Sequence, residues 1–161
     1  MTKYESSVKT IYAPVERVYA KLSDLENLRS LQERLSDPAF AEVIKAQAGD
    51  KVSDEQLAQL AERVKTLQFD HDSVSAPVEQ LGTTMTLCII EREENKLVKM
   101  ELQGAPIQAN LWIQMLPSSD GSSRLKLTLG ADLNFFIKQM VGKKLREGVE
   151  RFADMLCMIP Y

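Results

Sequence analysis

The chain has 161 residues, 44% of them hydrophobic and 27% charged, the make-up of an ordinary globular protein large enough to bury one core without disulfide or metal staples. A formal net charge of −3 leaves no basic footprint for nucleic acid. The polar start Met1 to Ser7 has no signal-peptide character, no run approaches the ~20 apolar residues of a membrane span, and Cys88 and Cys157 read as buried free thiols, so the expectation is a cytoplasmic protein with no membrane insertion.

Tyr4 to Tyr12 alternates as one strand, with Tyr4, Ser6, Val8 and Thr10 on one face and Glu5, Ser7 and Lys9 on the other. Ala13-Pro14 ends it, because proline has no N–H for a ladder yet fits the first turn of a helix, here Val15 to Tyr19. Ser23 and Glu26 have capping-box spacing and open a second helix with the stripe Leu28, Leu31 and Leu35. Past Asp37-Pro38 two further helical stretches follow, one through Phe40, Val43, Ile44 and Gln47, the other from Ser53 through Leu57, Leu60, Ala61 and Val64.

From about residue 64 the period changes from 3.6 to 2. Six inward sets then succeed one another: Leu67 and Phe69; Val74, Ala76 and Val78; Met85, Leu87 and Ile89 after Gly82; Val98, Met100 and Leu102; Ile107, Ala109, Leu111, Ile113 and Met115; and Leu125, Leu127, Leu129, Ala131 and Leu133. Asn134 to Met158 is the longest helix pattern. Its stripe is Ile137, Val141, Leu145, Val149, Phe152 and Leu156, with Phe136 and Met140 alongside. Gly148 lies near the inward edge, where a close approach of the sheet or a kink would account for it; Gly142 has no account from sequence.

Strands joined by short connections make an antiparallel meander with one packed face, and the last helix must cover that face. The expected fold class is α+β: a seven-stranded curved antiparallel sheet wrapped around a long C-terminal helix. It forms one domain over residues 1–161, with extra helices inserted after strand one at about residues 36–63.

Several stretches carry a family likeness: Val8 to Tyr19, Leu22-Ser23-Asp24-Leu25, Gly82 with Ile90-Glu91-Arg92-Glu93, Leu111 to Pro117, and Gly148 to Leu156. Together they resemble the START-related helix-grip superfamily of lipid-transfer and polyketide-cyclase-like proteins. The resemblance implies an apolar pocket between sheet and final helix. On that footing Met85, Leu87, Met100, Leu111, Ile113, Met115, Leu127, Met140 and Leu145 are the expected ligand lining, with Thr10, like Ser6, an inward hydroxyl able to orient a polar group. Methionine adapts to varied apolar ligands and is equally an ordinary core filler. The insertion at 36–63 departs from the short family members and sits where it could cap the pocket mouth.

Reactive chemistry is sparse. His71 stands in a turn between Asp70 and Asp72 without converging ligands, and neither cysteine has a base or cation beside it in the pattern. Trp112 falls in the polar-facing register, either covered by the helices of 38–66 or part of a partner surface. The basic cluster Lys138, Lys143, Lys144 and Arg146 reads as solvated, because the apolar face a membrane-surface helix needs is assigned to the core. No phosphate loop, Ser/His/Asp set or paired inward carboxylates can be found, and no cofactor is expected. The reading is a non-catalytic cytoplasmic binding protein for an apolar or amphipathic small molecule (lipid, quinone or polyketide-like), monomeric or homodimeric. Its alternatives are a cyclase or dehydratase, which needs an inward acid or base, and a protein-interaction module with a closed cavity.

Overall fold

The computed structural model describes residues 2–34, 65–78, 82–157 and 161, with Ala39, Glu42, Glu55, Ala58 and Glu62 as single helical positions between. Apart from those five, the insertion expected at 36–63 lies outside the described residues. The chain runs β1 (Thr2–Glu5), β2 (Lys9–Ile11), α1 (Val15–Leu22), a 3-10 turn (Leu25–Leu28), α2 (Arg29–Arg34), β3 (Gln68–Phe69), β4 (Ser73–Val78), β5 (Thr83–Glu93), β6 (Leu97–Gln103), β7 (Ala109–Pro117), β8 (Ser123–Ala131) and α3 (Phe135–Cys157). The strands form one antiparallel sheet in the order β1-β8-β7-β6-β5-β4-β3, with β2 also on β8.

The described residues hold eight strands where alternation predicts seven, because the first strand is broken by a bulge. Tyr4 pairs Leu129 and Lys9 pairs Leu125, so one extra residue is inserted between them on the β1/β2 side. Ser6 closes the gap: its N–H donates to the Leu127 carbonyl, and its hydroxyl accepts the Leu127 N–H at 2.9 Å, so the ladder is completed by a side chain. The inserted residue reverses the facing pattern. Tyr4 and Ser6 point inward, but so does Ile11, and Thr10 is turned out to solvent.

Cross-strand pairing sets the inner face in rows. Tyr4, Leu129, Leu111, Met100 and Ile89 share one. Leu127, Ile113 and Val98 form the next, and Leu125 with Met115 the one beyond. On the other side of the Tyr4 row lie Ala131 and Ala109, with Leu102, Leu87, Val74 and Phe69 continuing across β6 to β3.

Two helices cover this face. α1 packs on β6 and β7 through Val15, Val18 and Leu22, while α3 packs on β8, β1 and β2. Pro14 serves as the residue before α1, its carbonyl accepting from Arg17 and Val18. The expected capping box at Ser23 does not form. Ser23 closes α1 by donating its N–H to the Tyr19 carbonyl, and Asp24 caps the 3-10 turn by accepting from the Glu26 N–H at 3.0 Å. Asn134 caps α3, its side-chain oxygen accepting from the Ile137 N–H at 2.9 Å.

A polar clasp fixes the second half of α3. Glu150 accepts from the Ser7 N–H, the Ser7 hydroxyl and Lys9 Nζ, and Lys9 also reaches Asp154 at 2.7 Å. The bulge exposes the Ser7 N–H that Glu150 takes up, so the break in the strand is also its docking point. These bonds hold the Glu150 carboxyl down at about 2. Burial pulls the Lys9 ammonium down, but the paired carboxylates of Asp154 and Glu150 more than offset it and leave it above its usual value.

Gly142, without a role in the sequence, finds one here. It is buried, and a Cβ there would lie 3.1 Å from the Tyr4 hydroxyl, so the glycine admits the ring against the helix. Gly148 is exposed with nothing within 4 Å of a notional Cβ, so no close approach of the sheet explains it. Gly104 is required on two counts: its φ is +84°, and a Cβ would collide with the Thr84 carbonyl.

Candidate ligand site between the sheet and the last helix

Burial of the inner face is graded. At the end covered by α1 and the second half of α3, Val18, Leu22, Val98, Ile113, Met115, Leu125, Leu127, Ala153 and Leu156 are all 1% exposed or less. This is solid core. Toward the first half of α3 packing loosens: Leu129, Leu133, Leu102, Leu87, Met85 and Val74 on the sheet side and Ile137, Val141 and Leu145 on the helix are only half-buried. A shallow, open depression of about 320 Å³, lined by Thr2, Asp132, Leu133 and Asn134, marks the same end, where β8 gives way to α3.

The expected lining residues therefore separate into groups. Met100, Leu111, Ile113, Met115 and Leu127 are buried in the packed inner rows. Met85, Leu87 and Leu145 are half-buried at the loose end. Thr10 and Met140 do not face inward: the bulge turns Thr10 out, and Met140 is 77% exposed. Phe136, also 77% exposed, shares its fate. The inward line of α3 runs through Gly142, Val149, Ala153 and Leu156, and at 3.6 residues per turn it leaves positions 136 and 140 on the opposite side.

Tyr4 occupies the boundary between the two ends. It is 5% exposed, and its hydroxyl has no hydrogen-bond partner among the described residues. A buried orphan hydroxyl costs about 1–3 kcal/mol. By contrast, the Ser6 hydroxyl is consumed locally by Leu127 and the Ser7 carbonyl, and the buried Ser123 hydroxyl donates to the Ala13 carbonyl at 2.6 Å. Alternation placed Tyr4 inward but offered no sign that its hydroxyl would stay unpartnered.

The remaining chemistry lies outside this face. His71 is exposed, with Nδ1 3.2 Å from Asp24, while Arg92 holds Asp72 and donates to the Ser23 carbonyl. The Arg92 guanidinium keeps the Asp72 carboxyl below its usual range, and the cluster ties the 3-10 turn to the β3–β4 connection. Both thiols are pushed up, chiefly by burial, which leaves them protonated and weakly nucleophilic at neutral pH. Trp112 is half-buried on the outer face, and Lys3 and Lys99 each place Nζ 5.3 Å from its ring centroid. Among the described residues no helix is long and apolar enough to cross a membrane, and no three histidine, cysteine or carboxylate groups are placed to hold a metal ion.

No family model matches the chain, and no curated protein does. Solved structures are similar in fold. A conserved protein from Geobacillus kaustophilus aligns over 97% of this chain and 93% of its own, at 14% identity and a TM-score of 0.56. CalU16 from Micromonospora echinospora aligns over 98% and 80%, at 13% identity and a TM-score of 0.51. A START superfamily protein from Mycobacterium smegmatis aligns more loosely, over 93% and 98% at 12% identity, with a TM-score of 0.47. The strand order, the helix after the first strands and the long closing helix on the sheet make this a helix-grip fold.

Proposed function

We propose that the protein binds an apolar or amphipathic small molecule, of lipid, quinone or polyketide-like character, between the first half of α3 and the sheet, and does not transform it. The observation that carries this reading is the grading of the interior. A fold of this size that packs one end to 1% exposure or less leaves Met85, Leu87, Leu129, Leu133, Val141 and Leu145 half-buried at the other. Apolar side chains so placed gain about 25 cal/mol for each Å² that a ligand removes from water. Tyr4 adds one polar group with no local commitment, suited to a carbonyl or hydroxyl on the ligand. The inner rows contain no carboxylate or histidine among the described residues, and the carboxylate that lines the depression, Asp132, is exposed at its rim, an arrangement that favours binding over acid–base turnover.

The test is native mass spectrometry of the purified protein against a denatured control, with extraction of any released molecule, followed by titration with a fluorescent apolar probe. A co-purified amphipathic molecule, or saturable probe binding competed by fatty acids or quinones, supports the reading. Absence of both points to the interaction-module alternative, which the tightly packed half of the interior favours.

A further inference from the structure

The first half of α3 carries a surface that neither the core nor the ligand site uses. Phe136 and Met140, one helical turn apart, are each 77% exposed, and Phe135 is 68% exposed. The two phenylalanine rings meet edge to face with centroids 6.1 Å apart, forming one apolar knob at the helix start. From Asn134 to Arg146 the chain carries Lys138, Lys143, Lys144 and Arg146 and no acidic residue. All four cations are exposed, and none is paired with a carboxylate among the described residues. Asp132 precedes the stretch and Glu147 follows it, so a protein of net charge −3 reverses its sign locally just where its apolar side chains stand out.

In the sequence the apolar face of this helix is assigned to the core, which leaves none for a membrane surface. The stripe from Ile137 to Leu156 does go to the covered side, but Phe136 and Met140 lie opposite the buried line and stay free of the core. Lys143 and Lys144 follow them on the same outer side, the composition of a helix that lies in a headgroup layer. A second copy of the chain fits poorly, since it would bring the Lys143 and Lys144 pairs of both copies to one seam. A protein partner would need a groove shaped to two protruding rings, whereas a bilayer receives them anywhere on its plane.

We propose that this face docks on an anionic bilayer surface, with Phe135, Phe136 and Met140 at the acyl boundary and Lys143 and Lys144 on the headgroups. The docking stands on this surface alone and does not depend on the ligand reading, although the loosely packed end of the interior adjoins it.

The test is co-sedimentation of the intact protein with vesicles of phosphatidylcholine, with and without about one-third phosphatidylglycerol, at low and high salt. The expected result is at least about tenfold tighter binding to the anionic vesicles, reversed by salt. Both the triple variant Phe135→Ser, Phe136→Ser, Met140→Ser and the double variant Lys143→Glu, Lys144→Glu should lose about tenfold, with unchanged urea midpoints showing that each still folds. Three results overturn the proposal: no binding to anionic vesicles at low salt; binding that survives the triple variant, which reduces it to unspecific charge attraction; or a wild-type dimer in sedimentation equilibrium that the triple variant abolishes, which assigns the face to a second copy.

Discussion

Tyr4 and Gly142 allow the sharpest test of the interior. Tyr4→Phe deletes a hydroxyl that is buried without a partner, so the ligand-free protein should gain about 1 kcal/mol, the lower part of the cost of an unmet buried polar group. For a chain of this length that raises Tm by about 2–4 °C. Gly142→Ala alone brings two opposing terms. Alanine favours the helix by about 1 kcal/mol, but its Cβ would stand 3.1 Å from the Tyr4 hydroxyl, with the ring carbon beneath at 3.9 Å. With the hydroxyl gone, only the ordinary 3.9 Å contact remains, so the helix gain should appear in full in the double variant. Urea unfolding of the wild type, the two single variants and the double variant should therefore give a coupling of about 1 kcal/mol in favour of the pair. Binding should show the reverse order: a probe with a carbonyl should bind Tyr4→Phe several-fold more weakly, and one without a polar group should not distinguish them. If Tyr4→Phe instead lowers stability by more than about 1 kcal/mol, the hydroxyl is already hydrogen-bonded in the ligand-free protein. The hydroxyl is then not held in reserve for a ligand.

Four further outcomes follow from other contacts. Glu150 has its pKa depressed from 4.5 to about 2, so its contribution is present above pH 4.5 and is lost as pH falls toward 2. With the side chain 39% exposed, solvent screening leaves about 1 kcal/mol, and Glu150→Gln should remove that step from a stability-against-pH curve. Leu127→Ala, at a wholly buried position, should cost about 2–5 kcal/mol in urea unfolding. Thr10→Ala should stay within about 0.5 kcal/mol and leave probe affinity unchanged, because the side chain is exposed. Cys88 and Cys157, both with raised pKa, should react slowly with a disulfide reagent at neutral pH and rapidly only after unfolding in urea.

The parts of the fold that were legible in sequence share a physical cause. β6, β7 and β8 each have one packed face and one wetter face, so alternation marks both their existence and their register. The bulge was not legible because Ser6, Ser7 and Val8 carry no mark of an inserted residue, and every face assignment beyond it, Thr10 included, inherited the error. The stripe of α3 from Ile137 to Leu156 keeps to the covered side, but Phe136 and Met140, expected alongside it, do not, for another reason. Phe135, Phe136, Ile137, Met140 and Val141 are apolar on nearly all sides of the first two turns, so periodicity there selects no face. Gly142 could be understood only once Tyr4, at the far end of the chain, was placed against it.

The two ends of α3 divide the work of the fold. The second half is held three ways: by Val149, Ala153 and Leu156 in the core, by Glu150 and Asp154 on Lys9, and by the Tyr161 hydroxyl donating to the Leu156 carbonyl at 2.6 Å. The first half has one buried contact of comparable closeness, Gly142 on Tyr4, and that contact leaves a hydroxyl unpaired. Local opening should therefore begin at Asn134 and stop near Gly142, since the clasp and core beyond would have to break together. A helix anchored this way can move its first turns away from the sheet without unfolding the domain. That is what access to the proposed ligand site would require, and it is also the segment that carries the exposed rings and the lysines that have no carboxylate partner among the described residues.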